Sequence, residues 1–277
     1  MSGTVRGGAA TQRRTRRAGP GAATGTGRAS RVGYRVPRGD RGWAVGQEAD
    51  TARPRVLLSV ASSLDGYIDD VTQRRLVLSN QQDLDRVDEV RASVDAILVG
   101  AGTIRADDPR LLVRSAELRR RRVEAGLPAT PAKVTVTVSG DVDPGARFFT
   151  AGDTEKLVYT SDAAVAAVRE RLGTVSTVVG AGDPLDVRRL LADLAARGIG
   201  TLMVEGGGAM HTLFLTAGVV DELQLVYAPF FVGDAEAPRF VQPGVFPQDP
   251  GHRMTLAEAR PIGDVVLLRY LIGDTRA

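Results

Sequence analysis

The stretch Val99-Gly-Ala-Gly-Thr-Ile-Arg-Ala-Asp-Asp-Pro-Arg-Leu111 concentrates groups that could bind or orient a ligand. A buried-type strand, Ala96–Gly100, runs straight into glycines, a hydroxyl, two adjacent carboxylates and a proline. Strand ends of this kind are where open α/β sheets place their ligands. Glycine there lets backbone approach a bulky group closely. Thr103 and Asp107 stand one helical turn apart and would share a face. Arg110 and Arg114 bring cations next to it. A plain strand, turn and solvated helix start would account for the same residues.

Two further stretches carry chemistry. Val204-Glu-Gly-Gly-Gly208 delivers a carboxylate, then three glycines, then a helix whose apolar residues Met210, Leu213, Phe214 and Ala217 keep helical spacing. Bare N–H groups at a helix start, with the helix dipole behind them, suit a phosphate. The spacing is neither the Rossmann fingerprint nor a P-loop, and a simple glycine-rich turn is the plainer reading. Ser63-Leu-Asp-Gly66 follows the first strand. It reads as a tight turn or as a site where Asp65 serves as an acid or hydrogen-bond acceptor. Arg91 closes a helix, where arginine commonly pairs with the dipole.

The elements that must position these groups are legible from periodicity. Strands are expected at 56–61, 96–100, 134–138, 157–160, 177–179, 201–204, 223–226 and 265–271. Helices are expected at 80–93, 163–172, 187–197 and 208–217. Strands and helices alternate through the middle of the chain, and the last strands lack a helix between them. The expectation is an α/β fold with a mostly parallel sheet, an antiparallel edge and helices on both faces. Arg119–Arg122 falls in a polar connection, read as solvated surface or an anion patch.

Composition narrows the classes. With 43% apolar residues and no apolar run near the ~18 that spans a bilayer, a soluble cytoplasmic protein without a signal peptide is expected. Cysteine is absent and only His211 and His252 are present, so thiolate chemistry is excluded and no metal site is expected. Residues 1–53 hold eleven arginines and three acids, a charge of +8, which leaves −5 for the rest of a chain whose net charge is +3. This leader, rich in Arg and Gly, is expected to be disordered. A dispensable tail or a misplaced start codon, a nucleic-acid-binding arm and a targeting peptide are its competing readings. Trp43, the single tryptophan, lies in it.

Taken together, Ser63–Gly66, Arg91-Ala92, Gly102-Thr103, Asp107-Asp-Pro109, Leu111, Arg114 and Glu205-Gly-Gly207 resemble the reductase domain of riboflavin biosynthesis. The resemblance spans roughly residues 54–273, and the reductase domain is assigned to 54–277. It implies a three-layer fold like that of dihydrofolate reductase, a homodimer, NADPH as cofactor, and reduction of the ribosyl group of a phosphorylated ribosylaminopyrimidine to ribityl. By this resemblance Ala61, Thr103, Asp107 and Ser139 touch NADPH, while Gly206, Gly207, Gly208 and Ala209 hold its pyrophosphate. Arg91, Leu111, Arg114 and Glu205 contact the substrate, the arginines at its 5′-phosphate, where a guanidinium fork matches the anion. Arg74-Arg75-Leu76 departs from the family pattern and bears on the choice of pyrimidine.

The implied reaction moves a hydride to ribose C1′, most simply through an open-chain imine of the substrate, so the protein supplies alignment and charge. Glu205 and Asp65 are the two candidates for a proton donor, a role that requires a raised pKa. The alternatives are a reductase of the same fold acting on another pyrimidine, pterin or folate-like compound, and a non-catalytic nucleotide-binding protein. Loss of residues 1–50 separates the last from an enzyme, which would be little changed.

Overall fold

The computed structural model describes residues 53–273, apart from 73 and 75. The expected leader, Arg53 excepted, lies outside the described residues. Nine strands form one sheet: β1 Arg55–Ser63, β2 Ala96–Gly100, β3 Ala132–Val136, β4 Lys156–Thr160, β5 Thr177–Gly180, β6 Thr201–Gly206, β7 Glu222–Ala228, β8 Thr255–Ile262 and β9 Val265–Leu271. Their order is β5-β4-β3-β2-β6-β1-β7-β9-β8. The first seven are mutually parallel, and β9 and β8 close the edge antiparallel. The expected mixed α/β architecture is therefore present.

Seven α-helices accompany the sheet: α1 Gln81–Ser93, α2 Ala101–Asp107, α3 Ala116–Glu124, α4 Arg147–Thr150, α5 Val165–Leu172, α6 Val187–Ala196 and α7 Gly208–Thr216. Helices α6 and α7 supply Leu190, Leu191, Leu194, Phe214 and Leu215 to a core that includes Val56, Leu58, Leu98, Leu202 and Val204. Helices α1, α2, α4 and α5 pack Val90, Ile104, Phe148 and Val168 into a second core holding Ile97, Met203 and Val158. Alternate residues of the central strands enter opposite cores, as a sheet covered on both sides requires.

Two details correct the sequence reading, and a third extends it. Arg119–Arg122 is helical, within α3, and Arg122 is buried. Its guanidinium donates to the carbonyls of Ala92 (2.9 Å) and Val94 (2.8 Å) at the end of α1, and to Pro128 O (2.8 Å). Arg120 and Arg121 of the same run are exposed and pair with Glu117, as the solvated-surface reading expects, so the departure is Arg122 alone. Strand β8 was not expected, because it is exposed along most of its length and has no apolar alternation. In α7 the expected stripe faces the core, with Phe214 fully buried and Met210, Leu213 and Ala217 packed against it; His211 and Leu215 are buried beside them.

Lys133 in β3 is fully buried, and its Nζ donates to Phe148 O (2.9 Å) and Ala151 O (2.5 Å) at the end of α4. Burial, and then nearby Lys156, push its pKa down to about 8. The unfolded chain keeps this proton to about pH 10.4, so between those values the unfolded state binds more protons and stability rises with pH. The full effect is about 3 kcal/mol. Tyr159, whose pKa burial and Asp193 push up, opposes it above about pH 10. Urea midpoints should therefore rise from pH 8 to about pH 9.5 in the wild type and stay flat in Lys133→Met. A slope shared by both proteins would contradict this assignment.

Candidate active site

Strands β3, β2, β6 and β1 are adjacent and parallel, so their C-terminal ends share one edge of the sheet. Chain order breaks there, since β6 inserts between β2 and β1. Ligands of open α/β sheets sit at such a switch point. The ends of these four strands carry, or run into, nearly all the expected site residues.

The β6–α7 turn is the tightest part. Gly207 is the N-cap of α7 with φ +85° and offers no side chain to the first-turn amides. A Cβ there would lie 3.1 Å from Thr103 Oγ1, and one at Gly206 would lie 3.4 Å from the same oxygen. Helix α2 is thus pressed against the glycine turn. A Cβ at Gly208 would run into the backbone carbonyl oxygen of Arg239, on the long β7–β8 connection. Gly207, by its φ, and Gly208, by the Arg239 carbonyl, are required by the protein's own packing, beyond any ligand. Uncapped amides at the positive end of a nine-residue helix also fit an anionic pyrophosphate.

Glu205 precedes the turn and meets Arg91, the basic residue in the last turn of α1. Arg91 Nε donates to Oε1 (2.6 Å) and Nη2 to Oε2 (2.5 Å), a bidentate pair with side chains 19% and 11% exposed. Burial works against the guanidinium charge, yet Glu205 and then Asp88 hold its pKa above the usual value. The pair joins α1 to β6. Arg91 Nη1 points toward Leu112 O at 3.5 Å, which draws the 111–115 segment to the same place. That segment is anchored by Asp88, whose oxygens accept from the Arg114 amide (2.6 Å) and the Ser115 amide (2.7 Å). The Arg114 side chain is exposed, with Nη2 donating to Leu84 O (2.5 Å).

The remaining expected residues divide. Asp107 ends α2, and its carbonyl accepts from Arg147 at 3.5 Å. Asp108, φ +42°, caps α2 and pairs with Arg147 at 2.8 Å. Exposed Ser139 accepts from the Asp141 amide (3.3 Å), and Asp141 O accepts from Arg105 of α2 (2.8 Å). Half-buried Ala61 packs against Val226, Ile262, Val265 and Leu267. Ala209 is exposed in the first turn of α7. Leu111 is 3% exposed with φ +47°. Its side chain belongs to the core with Ile104 and Val90, so the part of Leu111 left to face a ligand is its backbone.

Asp65 also needs correction. Its carboxylate accepts from Ser63 Oγ (2.5 Å), the Val232 amide (3.2 Å) and the Gly233 amide (2.8 Å). Desolvation is the largest single influence and raises its pKa, but the three donors together outweigh it and hold the pKa below the usual carboxylate value. That environment disfavours the protonated form a proton donor needs. Asp65 tethers a loop instead. Glu205, with both oxygens on Arg91, is likewise built as a charge partner. Of the Arg74–Leu76 departure, Arg75 lies outside the described residues, and the Leu76 amide donates to Asp69 Oδ1 (3.2 Å).

Three contributors escaped the sequence reading: Asp88, His211 and Arg239. Asp88 falls within the expected helix 80–93 with nothing in its spacing to mark it, yet it is 4% exposed. His211 entered the sequence reading only as one of two histidines. Arg239 lies in a connection without periodicity, and its part shows in its stacking 4.3 Å over Tyr67 and in its carbonyl packed on Gly208.

The profile described as RibD C-terminal domain matches residues 54–268. A protein of Archaeoglobus fulgidus named 2,5-diamino-6-ribosylamino-4(3H)-pyrimidinone 5′-phosphate reductase is 38% identical over 186 residues, 67% of this chain and 85% of the relative. One of the same name from Methanothermobacter thermautotrophicus is 33% identical over 225 residues, 79% of this chain and 99% of the relative. The structure of Acinetobacter baumannii RibD shares the fold, with TM-score 0.66 and 23% identity over 81% of this chain; the match spans 59% of that longer chain. On these matches, the chain belongs to the RibD C-terminal domain family.

Proposed function

We propose that the protein is an NADPH-dependent reductase that converts the ribosyl group of a phosphorylated ribosylaminopyrimidine to ribityl. The observation that carries this reading is the adjacency of two unlike features. An uncapped glycine helix start suits a pyrophosphate, and the next residue back belongs to a largely buried Arg91–Glu205 pair. The names of the archaeal relatives support the substrate class.

The Gly206–Ala209 amides would hold the pyrophosphate, with Thr103 keeping the turn in place and Ala61, Asp107 and Ser139 completing the cofactor side. When bound, NADPH supplies the hydride that reduces ribosyl C1′. Arg91 and Arg114 take the substrate's 5′-phosphate. Glu205 orients the Arg91 fork and accepts from substrate hydroxyls, and the Leu111–Ser115 backbone forms the adjoining wall. Orientation and charge placement are the protein's contributions. A homodimer in the cytoplasm belongs to the same reading. Residues 54–277 form the reductase domain, with 1–53 a dispensable leader.

The test is turnover of NADPH with 2,5-diamino-6-ribosylamino-4(3H)-pyrimidinone 5′-phosphate and, in parallel, with 5-amino-6-(5-phosphoribosylamino)uracil. A product two hydrogens heavier is expected from at least one of them. NADPH binding without either product would remove the substrate claim.

A further inference from the structure

We propose that His211 is a positioning residue for the glycine turn: it pins residues 238–242 across the start of α7 and so couples that turn to the Ser63–Ile68 loop. The inference rests on the functional reading above, which gives the turn its ligand.

The imidazole is 1% exposed. Its Nδ1 lies 3.0 Å from Phe240 O. A carbonyl only accepts, so Nδ1 carries the proton. Nε2 is then a bare acceptor, buried and without a hydrogen-bond partner among the described residues. A buried unsatisfied atom costs stability that leucine or phenylalanine at this position would avoid. The compensating gain is the Nδ1 donor to the 238–242 strap. Burial also favours the neutral ring, with the pKa pushed down to about 4, so the donor arrangement persists at neutral pH.

The strap lies on α7 at three successive places. The Arg239 carbonyl sits where a Gly208 side chain would be. Phe240 O accepts from His211. The Gln242 amide donates to Thr212 Oγ1 (2.8 Å), which itself donates to Gly208 O (2.6 Å). Its other side is tied to the first loop. The Phe240 amide donates to Gly66 O (3.1 Å), and the Ile68 amide to Pro238 O (2.9 Å). Arg239 donates to the Tyr67 hydroxyl (2.7 Å) while stacking on its ring. A short exposed segment therefore links the expected pyrophosphate turn to the Ser63–Gly66 loop, and His211 is its one buried polar anchor on α7.

The test uses the full-length protein with His211→Leu, His211→Asn and, should the leucine variant fold poorly, Arg239→Ala at an exposed side chain. Hydrogen–deuterium exchange without cofactor and the Kd for NADPH are measured on each. His211→Leu should raise exchange in both 238–242 and 206–209 and weaken NADPH binding about tenfold, the loss expected for one buried donor. KM for NADPH should rise far more than kcat falls. His211→Asn, whose amide can replace the Nδ1 donor, should restore Kd to within about threefold. Arg239→Ala should move the same two segments. The role of His211 is overturned if the strap loosens while residues 206–209 and the NADPH Kd stay as in wild type. Wild-type protein that does not bind NADPH overturns the functional reading instead, and this inference with it.

Discussion

Gly208→Ala should weaken NADPH binding a hundredfold or more and lower the melting temperature by several degrees. The backbone at Gly208 is not left-handed, so alanine meets no conformational penalty there. The cost is steric, because the added methyl collides with the Arg239 carbonyl, which is backbone rather than a yielding side chain. Either the strap lifts off α7 or the glycine turn moves, and overpacking of this kind costs about 1–3 kcal/mol or more. A shift of even 1 Å in a ligand-orienting turn is enough to cost about a hundredfold. Gly102→Ala is the control. Its nearest atom is the end of the Arg105 side chain at 3.9 Å, and it lies within α2. Alanine there should be neutral or stabilise by up to about 1 kcal/mol. If calorimetry and NADPH titration found the two variants alike, the strap would not be packed on the turn as described.

Glu205→Gln should cost about 2–4 kcal/mol and abolish turnover. The Arg91–Glu205 pair is bidentate and less than a fifth exposed on either side. Removing one partner leaves a desolvated guanidinium with a weaker acceptor, and breaking fully buried pairs costs about 3–5 kcal/mol. The remaining exposure moderates that figure. The double variant Arg91→Met, Glu205→Leu removes both charges and should recover most of the stability, as replaced buried pairs often do. It should stay inactive, since the proposed phosphate and hydroxyl partners are gone. A double variant that is both stable and active would show the pair to be structural only. Two singles whose effects simply add would show that the two side chains do not interact.

Most of the fold was legible because the strands that carry it are buried on both faces and rich in Val, Ile and Leu. The Ala96–Gly100 strand, buried at every position, lies where periodicity expects it. Strand β8 was not legible, since an exposed edge strand has no inside and outside to alternate. Helix α3 was hidden because its stabilising contact is an arginine: Arg122 caps another helix instead of filling a core. At the site, the glycines and Thr103 were visible as types and spacing. Their mutual contact was not, because it joins residues about a hundred positions apart. Asp65 shows the opposite limit. A carboxylate beside Gly66 looks the same in sequence whether it gives up a proton or accepts three hydrogen bonds, and only its amide and hydroxyl donors decide. Leu111 likewise gave no sign that its side chain turns into the core.

Hydride delivery to the sugar of a phosphorylated pyrimidine across this strand-end cleft can be followed by single-turnover reaction of the wild-type protein with NADPH deuterated at nicotinamide C4, using one C4 epimer at a time. One epimer should place a single deuterium at C1′ of a ribityl product, and Glu205→Gln should not. Deuterium in the pyrimidine ring, or a ribosyl compound recovered unchanged from enzyme saturated with NADPH, would contradict it.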